Sequence, residues 1–200
     1  MNTLLWTLLA FALGSLPFSV WVGQLALRVD IRRYGDHNPG ASNVLRAGGW
    51  QWAVLALVLD MLKGGLPVGL SWFVGGVQDW ALLPVAVAPV LGHAYSPLLN
   101  FRGGKALAVS MGVWGGLTGG EAALVLAICI MLWFAIITVD GWAAMLTGFS
   151  LLFYLLLTDK PDWLLAFWAA NAILIAWKHR ADLRLFPTPR PWLVKLGGYK

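Results

Sequence analysis

Seven apolar segments, separated by short polar stretches, run through nearly the whole chain. They cover residues 3–27, 50–74, 80–98, 105–118, 121–138, 141–158 and 162–178. Because roughly 20 apolar residues cross a bilayer as a helix, this pattern predicts an all-α polytopic membrane protein with about seven transmembrane helices. The composition agrees, since 60% of the residues are hydrophobic and only 12% are charged, which excludes an ordinary soluble domain. We therefore expect a single membrane-embedded domain over residues 1–200.

The fourth segment, residues 105–118, is shorter than the others and contains Gly112, Gly115 and Gly116. A half-spanning or re-entrant helix is an alternative to a full crossing here, and it would leave six crossings. Glycine pairs at 64–65, 75–76, 103–104 and 119–120 predict helix ends or tight helix contacts.

Positive charges collect in three of the regions between and after the segments. The first loop has Arg28, Arg32, Arg33 and Arg46, the third has Arg102 and Lys105, and the tail has Lys178, Arg180, Arg184, Arg190, Lys195 and Lys200. The alternate loops are acidic or nearly neutral. Since cytoplasmic loops carry an excess of Lys and Arg, the N-terminus is predicted outside and the C-terminus in the cytoplasm. This orientation needs an odd number of crossings, which favours seven over six.

The loop of residues 30–46 combines small, amide, hydroxyl and cationic residues in a way that topology alone does not require. Short donors and close backbone approach of this kind suit a phosphate group. Ser42 or Asn43 is also placed to cap the next helix, whose N-terminus would then face an anion. The residues that carry this phosphate prediction are Gly35, Asn38, Gly40, Ala41, Ser42, Asn43 and Arg46.

The loop before the fourth segment places Arg102 and Lys105 on either side of Gly103 and Gly104. A flexible turn between two cations at a helix start also suits a phosphate. The alternative is that these cations only mark the cytoplasmic end of a helix, and the residues alone do not decide between the two. The basic tail that begins at Lys178 fits an anchor to lipid headgroups at least as well as a ligand site.

Asp60 and Lys63 lie inside the second apolar segment, three residues apart. On a helix they share one face and partly neutralise each other, which offsets the cost of placing charge in the bilayer. We interpret them as a structural pair on the side of the helix that faces the bundle interior.

The single cysteine, Cys129, lies in an apolar run and is interpreted as a buried small hydrophobe. Three scattered histidines form no ligand spacing typical of a metal site. We expect neither a metal nor a cofactor.

Five short motifs follow one another along the chain, at residues 14–18, 35–46, 60–64, 92–93 with 101–105, and 179–180 with 184–185. Together they resemble the motifs of the PlsY family of acylphosphate:glycerol-3-phosphate acyltransferases, which are small polytopic bacterial membrane enzymes. The resemblance covers nearly the whole chain, and each motif lies at its expected topological position.

The resemblance implies acyl transfer from an acyl phosphate to the 1-hydroxyl of glycerol 3-phosphate, giving lysophosphatidic acid and phosphate for phospholipid synthesis at the cytoplasmic face of a bacterial inner membrane. An acyl phosphate is already activated, so the protein has to bind two phosphate groups, align the hydroxyl with the carbonyl and neutralise developing charge. The partners implied are these two substrates and the lipid bilayer, with no nucleic acid. The cations that suit these tasks are Arg46, Arg102, Lys105 and Arg180.

Matching the motifs residue by residue gives a set of predicted site residues. The predicted catalytic residues are Asp36, Arg46, His93 and Lys105. The predicted substrate-binding residues are Asn38, Ser42, Asn43, Arg46, Arg102, Gly103, Gly104, Lys105, His179, Arg180 and Asp182.

The chain departs from the family pattern at three positions: Asp36 replaces Ser, His37 replaces Gly, and Asp182 replaces Asn. Carboxylates in a site built for phosphates add like-charge repulsion unless neighbouring cations neutralise them. One hypothesis is that Asp36, His37 or His93 is a general base for the acceptor hydroxyl. Another is that the acceptor is a different, less anionic alcohol.

Two other function classes are compatible with the pattern. A membrane transporter, or a protein that binds lipid or phosphate without reacting it, would use the same broken helices and cationic loops. A family member that only stabilises a complex is a further alternative. An acyl-CoA mechanism is not predicted, because none of His37, His93 and His179 has an Asp five residues later.

Overall fold

The structure of the protein is a computed structural model that describes residues 2–196. Two lysines of the basic tail are affected by this range. Lys200 lies outside the described residues, and so does the side chain of Lys195.

The described residues form ten α-helices joined by loops and short 3₁₀ turns. The helices are α1 (Thr3–Gly14), α2 (Phe18–Ala26), α3 (Ala41–Gly48), α4 (Trp50–Phe73), α5 (Leu82–Ala94), α6 (Leu107–Thr118), α7 (Glu121–Ile136), α8 (Asp140–Leu157), α9 (Asp162–Lys178) and α10 (Pro191–Leu196). Within residues 2–196 no strand forms, and the isolated β-bridge there joins Ile137 and Pro189. The all-α prediction is confirmed, and each of the seven apolar segments is helical.

Four helical stretches of the described part are long and apolar enough to cross a membrane: Thr3–Ala26, Trp50–Phe73, Asp79–Leu99 and Asp140–Leu157. The apolar helices α6 and α7 are shorter. Most of the large exposed side chains on the long helices are hydrophobic, as a lipid environment requires. These features are those of a membrane protein.

The chain divides into two compact units, Met1–Glu121 and Ala122–Lys200. The first unit contains α1 to α6, and the second contains α8 to α10 with nearly all of α7. The two basic loops belong to the first unit, and the basic tail belongs to the second.

The first predicted segment is a broken helix in the structure, because α1 ends at Gly14 and α2 begins at Phe18. Pro17 accounts for the break, since proline has no N–H to donate and clashes with the preceding helical turn. The carbonyl oxygen of Leu16, inside the break, accepts a hydrogen bond of 2.6 Å from Lys63 Nζ of α4. The break is therefore held by a charged side chain from another helix.

Asp60 and Lys63 form the predicted pair inside α4. Lys63 Nζ lies 2.7 Å from Asp60 Oδ1, and both side chains are only 2% exposed. Ser19 Oγ of α2 donates to Asp60 Oδ2 at 2.5 Å. The predicted pairing is confirmed, and the additional partners of the pair attach α2 and the helix break to α4.

Helix α6 packs closely on α4 through glycines. A Cβ atom added to Gly65 would lie 2.6 Å from the carbonyl oxygen of Gly112, and one added to Gly116 would lie 2.6 Å from that of Gly65. Side chains do not tolerate such distances, so glycine at these positions permits the two backbones to touch. The prediction of tight helix contacts is confirmed here.

In the second unit, the C-terminal segment is hydrogen-bonded to the end of α7. Arg190 Nε donates to the carbonyl oxygen of Phe134 at 3.0 Å, and Trp192 Nε1 donates to that of Ala135 at 2.9 Å. These bonds satisfy carbonyls that the helix end leaves without helical partners.

Candidate functional site

The first basic loop leads into the short helix α3. Gly40, in an extended conformation, is its N-cap, and no side chain caps it. The prediction that Ser42 or Asn43 caps this helix is wrong. Both residues already lie in its first turn, because the helix begins at Ala41, directly after the glycine.

The amide of Asn43 is buried and connects three other site residues. Its Nδ2 donates to Asp36 Oδ1 at 3.0 Å and to the backbone oxygen of Asn38 at 2.8 Å. Its Oδ1 accepts from Arg46 Nη1 at 2.8 Å. Because both donors and the acceptor are used, the amide fixes the guanidinium and the carboxylate relative to one another.

The carboxylate of Asp36 is bound by two cations. Lys105 Nζ lies 2.9 Å from Oδ2, and Arg46 Nη1 lies 3.6 Å from Oδ1. The backbone N–H of Asn38 donates to Oδ1 at 3.3 Å. Partial burial raises the pKa of Asp36, but the hydrogen bond and the charge of Lys105, with help from Asn38 and Asn43, outweigh it and hold the pKa below its ordinary value. Asp36 is therefore ionised at neutral pH.

Asn38 joins the two basic loops. Its side-chain oxygen accepts a hydrogen bond of 3.0 Å from the backbone N–H of Lys105. The structure thus brings together five of the predicted site residues, which we refer to as the loop cluster: Asp36, Asn38, Asn43, Arg46 and Lys105.

Position 35, directly beside the loop cluster, requires glycine. Its φ of +54° lies in the left-handed region that favours glycine. A Cβ atom there would also lie 2.5 Å from both Arg46 Nη1 and Asn43 Oδ1. Both the backbone conformation and the space therefore exclude a side chain at this position.

Gly103 and Gly104 lie against the end of α5. The N–H of Gly104 donates to the carbonyl oxygen of His93 at 3.2 Å. A Cβ atom on Gly103 would overlap that carbonyl group, and one on Gly104 would overlap the buried imidazole of His93. The glycines therefore permit the Lys105 loop to pack on His93, a reason that the sequence did not reveal.

His37 has a φ of +61° and so occupies a left-handed conformation that costs a non-glycine residue roughly 1–2 kcal/mol. Its Nδ1 lies 2.9 Å from the carbonyl oxygen of Arg32, on the exposed side of the loop. The glycine of the family pattern would adopt this conformation without that cost.

Besides Gly103 and Gly104, two predicted binding residues of the first unit lie outside the loop cluster. Ser42 is exposed on the first turn of α3, and Arg102 is exposed and forms no ion pair within residues 2–196. In the same part of the chain, no group of three or more His, Cys, Asp or Glu residues is placed to hold a metal ion.

The second unit contains the other three predicted residues, at the end of α9. His179 is buried, and its Nδ1 lies 3.0 Å from the carbonyl oxygen of Ile175. Arg180 is exposed, and its guanidinium lies over the ring of Trp177, 4.9 Å from the centroid. Asp182 lies beside Gly141, because a Cβ atom added to Gly141 would be 2.6 Å from the Cβ atom of Asp182.

Two serines without a role predicted from the sequence shape the first unit. Ser19 binds Asp60, as described above, and Ser96 Oγ donates to the carbonyl oxygen of Ser15 at 2.6 Å. For Ser96 the sequence signal is Pro17, because a helix break leaves carbonyl groups such as that of Ser15 in need of other donors.

Comparison with known proteins identifies the family of this chain. Residues 4–186 match the family described as glycerol-3-phosphate acyltransferase. A glycerol-3-phosphate acyltransferase of Thermus thermophilus is 41% identical over 187 residues, which cover 92% of each chain. Glycerol-3-phosphate acyltransferase 1 of Deinococcus radiodurans is 38% identical over 186 residues, which cover 92% of this chain and 91% of the relative.

Solved structures agree with the sequence relatives. The crystal structure of PlsY, an integral membrane glycerol 3-phosphate acyltransferase, in its glycerol 3-phosphate form has a TM-score of 0.81 and 29% identity, over 99% of this chain and 94% of that one. The lysophosphatidic acid form gives 0.80 and 26%, over 99% and 93%. The resemblance that the five motifs indicate is confirmed, and the chain belongs to the glycerol-3-phosphate acyltransferase family.

Proposed function

We propose that this protein transfers an acyl group from an acyl phosphate to the 1-hydroxyl of glycerol 3-phosphate, forming lysophosphatidic acid and inorganic phosphate for phospholipid synthesis. Relatives that match nearly the whole chain carry the name glycerol-3-phosphate acyltransferase. The similar PlsY structures are a glycerol 3-phosphate form and a lysophosphatidic acid form. The transporter and binding-only alternatives have no comparable support.

In the proposed reaction, the hydroxyl oxygen attacks the carbonyl carbon of the acyl phosphate. The bond between that carbon and the phosphate oxygen breaks, phosphate leaves with the electron pair, and the hydroxyl gives up its proton. Negative charge grows on the carbonyl oxygen and on the leaving phosphate, so positioned cations and hydrogen-bond donors lower the barrier. Alignment of the hydroxyl with the carbonyl contributes the rest.

The single observation that supports this chemistry best is the geometry of Arg46 and Lys105. Both cations converge on one anion in the loop cluster, the carboxylate of Asp36, at 3.6 and 2.9 Å. Asn43 fixes the guanidinium, and Asn38 fixes the backbone of the lysine. We propose that Arg46 and Lys105 bind and polarise substrate phosphate groups at this position.

The proton of the hydroxyl needs an acceptor, and the candidates are Asp36, His37 and His93. Asp36 is paired with Lys105, which makes its carboxylate a weaker base than a free one. The ring of His37 is turned to the backbone of Arg32. Among the three, the ring of His93 lies against Gly104 of the Lys105 loop, and this position favours His93 as the general base. This role stays a prediction for the substitution His93→Gln to test.

The remaining predicted site residues stay proposals for substrate binding. Asn38 and Asn43 act through the shape of the loop cluster, and Gly103 and Gly104 act by permitting the Lys105 loop to pack on His93. Arg102 and Ser42 are available on the exposed surface of the first unit, and in the second unit His179, Arg180 and Asp182 retain their predicted part in phosphate binding.

The proposed topology has seven crossings of a bacterial inner membrane in one membrane-embedded domain. The N-terminus lies outside, and the C-terminus and the loop cluster lie on the cytoplasmic side. The support for this topology is the distribution of Lys and Arg over the loops, together with a family match that extends over both units. The acyl chain of the donor would then lie among apolar helices while the phosphates remain at the surface.

The decisive experiment measures phosphate release and lysophosphatidic acid formation by the purified protein in detergent. A long-chain acyl phosphate is supplied with or without glycerol 3-phosphate. The Arg46→Ala variant is compared with Arg33→Ala, which removes an exposed arginine of the same loop outside the loop cluster. We expect acceptor-dependent turnover that Arg46→Ala reduces roughly 10²- to 10³-fold and Arg33→Ala leaves unchanged.

The absence of lysophosphatidic acid from folded wild-type protein at any acceptor concentration would overturn the proposed function. Full activity of the Arg46→Ala variant would overturn the role proposed for Arg46. Formation of an acyl ester with an uncharged alcohol in place of glycerol 3-phosphate would instead support the hypothesis of a less anionic acceptor.

A further inference from the structure

The carboxylate of Asp36 has the donors that a phosphate group uses in proteins. Oδ2 faces the ammonium of Lys105, and Oδ1 faces the guanidinium of Arg46, the amide of Asn43 and the backbone N–H of Asn38. Cationic side chains, a side-chain amide and a backbone N–H are a typical phosphate-binding set. In this chain the carboxylate of Asp36 already binds these donors.

The charges of the loop cluster determine how the carboxylate of Asp36 affects phosphate binding. Arg46 and Lys105 contribute two positive charges, and Asp36 removes one of them. A phosphate that approaches the two cations either takes them from Asp36 or binds beside its carboxylate, where two negative charges a few ångströms apart repel each other. Either route weakens binding relative to a site with an uncharged residue at this position.

We infer that Asp36 is a built-in anion that competes with substrate phosphate for Lys105 and Arg46, and that it sets the phosphate affinity of this site. The inference rests on the proposed function only for the identity of the phosphate ligands. It makes Asp36 a specificity-determining residue.

The competition has a consequence for turnover. Inorganic phosphate is a product of the proposed reaction and binds through the same kind of contacts as the phosphate groups of the substrates. A carboxylate that returns to Lys105 and Arg46 helps to expel this product. The same competition raises the concentration of glycerol 3-phosphate that gives the half-maximal rate.

The test is a direct binding measurement with inorganic phosphate, by isothermal titration calorimetry on the purified full-length protein in detergent without an acyl donor. The Asp36→Asn variant keeps the shape of the side chain and removes its charge. The control is Asp30→Asn, which neutralises another carboxylate of the same loop, one that pairs with Arg32 and lies outside the loop cluster.

We expect Asp36→Asn to bind phosphate roughly tenfold more tightly than wild type, and Asp30→Asn to bind it as wild type does. In turnover, the same variant should show a lower KM for glycerol 3-phosphate and stronger inhibition by phosphate. Unchanged or weaker phosphate binding in folded Asp36→Asn would overturn the inference. A loss of kcat with no change in phosphate binding would also overturn it, and would assign Asp36 to proton transfer.

A second variant, Asp36→Ser, carries the test if Asp36→Asn does not fold, since the family pattern has Ser at this position. The binding experiment is independent of catalysis. Tighter phosphate binding by a variant in a protein that makes no lysophosphatidic acid would refute the proposed function alone. An active wild-type protein whose uncharged variants gain no affinity would refute the inference alone.

Discussion

The backbone N–H of Lys105 donates a hydrogen bond to the side-chain oxygen of Asn38 at 3.0 Å, and this bond joins two loops that lie 67 residues apart in the sequence. The same Asn38 donates its own N–H to Asp36. Asn38 thus connects the lysine, through its side chain, to the carboxylate that the lysine pairs with, through its backbone N–H.

Replacement of Asn38 should therefore impair catalysis more than folding. Asn38→Ala removes the acceptor for Lys105 while leaving both cations in place. We expect kcat to fall by roughly 10- to 100-fold, because a misplaced phosphate group misaligns the reacting atoms. Steady-state kinetics with purified protein measures this, and Gln51→Ala, an exposed amide on α4, is the matched control. Wild-type kcat in Asn38→Ala would show that the loops hold their positions without this bond.

The glycines before Lys105 should differ in their tolerance of alanine. Gly103→Ala places its methyl group against the backbone of His93, which does not move easily, whereas Gly104→Ala meets the imidazole, which is a side chain. We expect both changes to lower the melting temperature in detergent, Gly103→Ala the more, and His93→Ala to restore part of the loss in Gly104→Ala only. The control is Gly148→Ala in α8, where an added methyl group meets nothing within 4 Å. Equal melting temperatures for the Gly103 variant and wild type would contradict the packing described here.

The buried pair in α4 should tolerate double replacement better than single replacement. Lys63→Met leaves the buried carboxylate of Asp60 without its counter-ion and is expected to cost about 3–5 kcal/mol of the free energy of unfolding. The double variant Asp60→Leu with Lys63→Met removes both charges, so we expect it to recover part of this loss. Denaturant titration in mixed micelles provides the comparison. A double variant less stable than either single variant would mean that the bonds to Ser19 and Leu16 outweigh the ion pair.

The loop cluster should also give the protein a pH-dependent stability. The pKa of Asp36 is lower in the folded protein than its ordinary value of 3.8. A lowered folded pKa means that the stabilisation is complete above the unfolded pKa and is lost as the pH falls through the folded pKa. We therefore expect the stability advantage of wild type over Asp36→Asn to be constant near neutral pH and to shrink below about pH 4. Melting temperatures of both proteins between pH 3 and pH 7 check this, and an advantage that grows on acidification would contradict the ion pair with Lys105.

The sequence by itself determined the fold class and the family. Long apolar segments have to be helical in a bilayer, because no other local structure satisfies the backbone there, and the charges between them follow the positive-inside pattern. The pairing of Asp60 with Lys63 was predictable for a similar reason, since a helix places residues three apart on one face. The five motifs gave the family because they hold residue types in a fixed order.

Only the tertiary structure decided which polar residues meet. The bond from Lys105 to Asn38, the role of His93 behind Gly104 and the position of Ser19 beside Asp60 all join residues that are distant in sequence, and no local periodicity encodes such contacts. The cap at Gly40 was missed because a backbone conformation, rather than a side-chain type, begins α3. The pairing of Asp36 with the two cations predicted to bind phosphate likewise follows from distances in the folded chain. A carboxylate in one loop meets a lysine from another only when folding brings the two loops together.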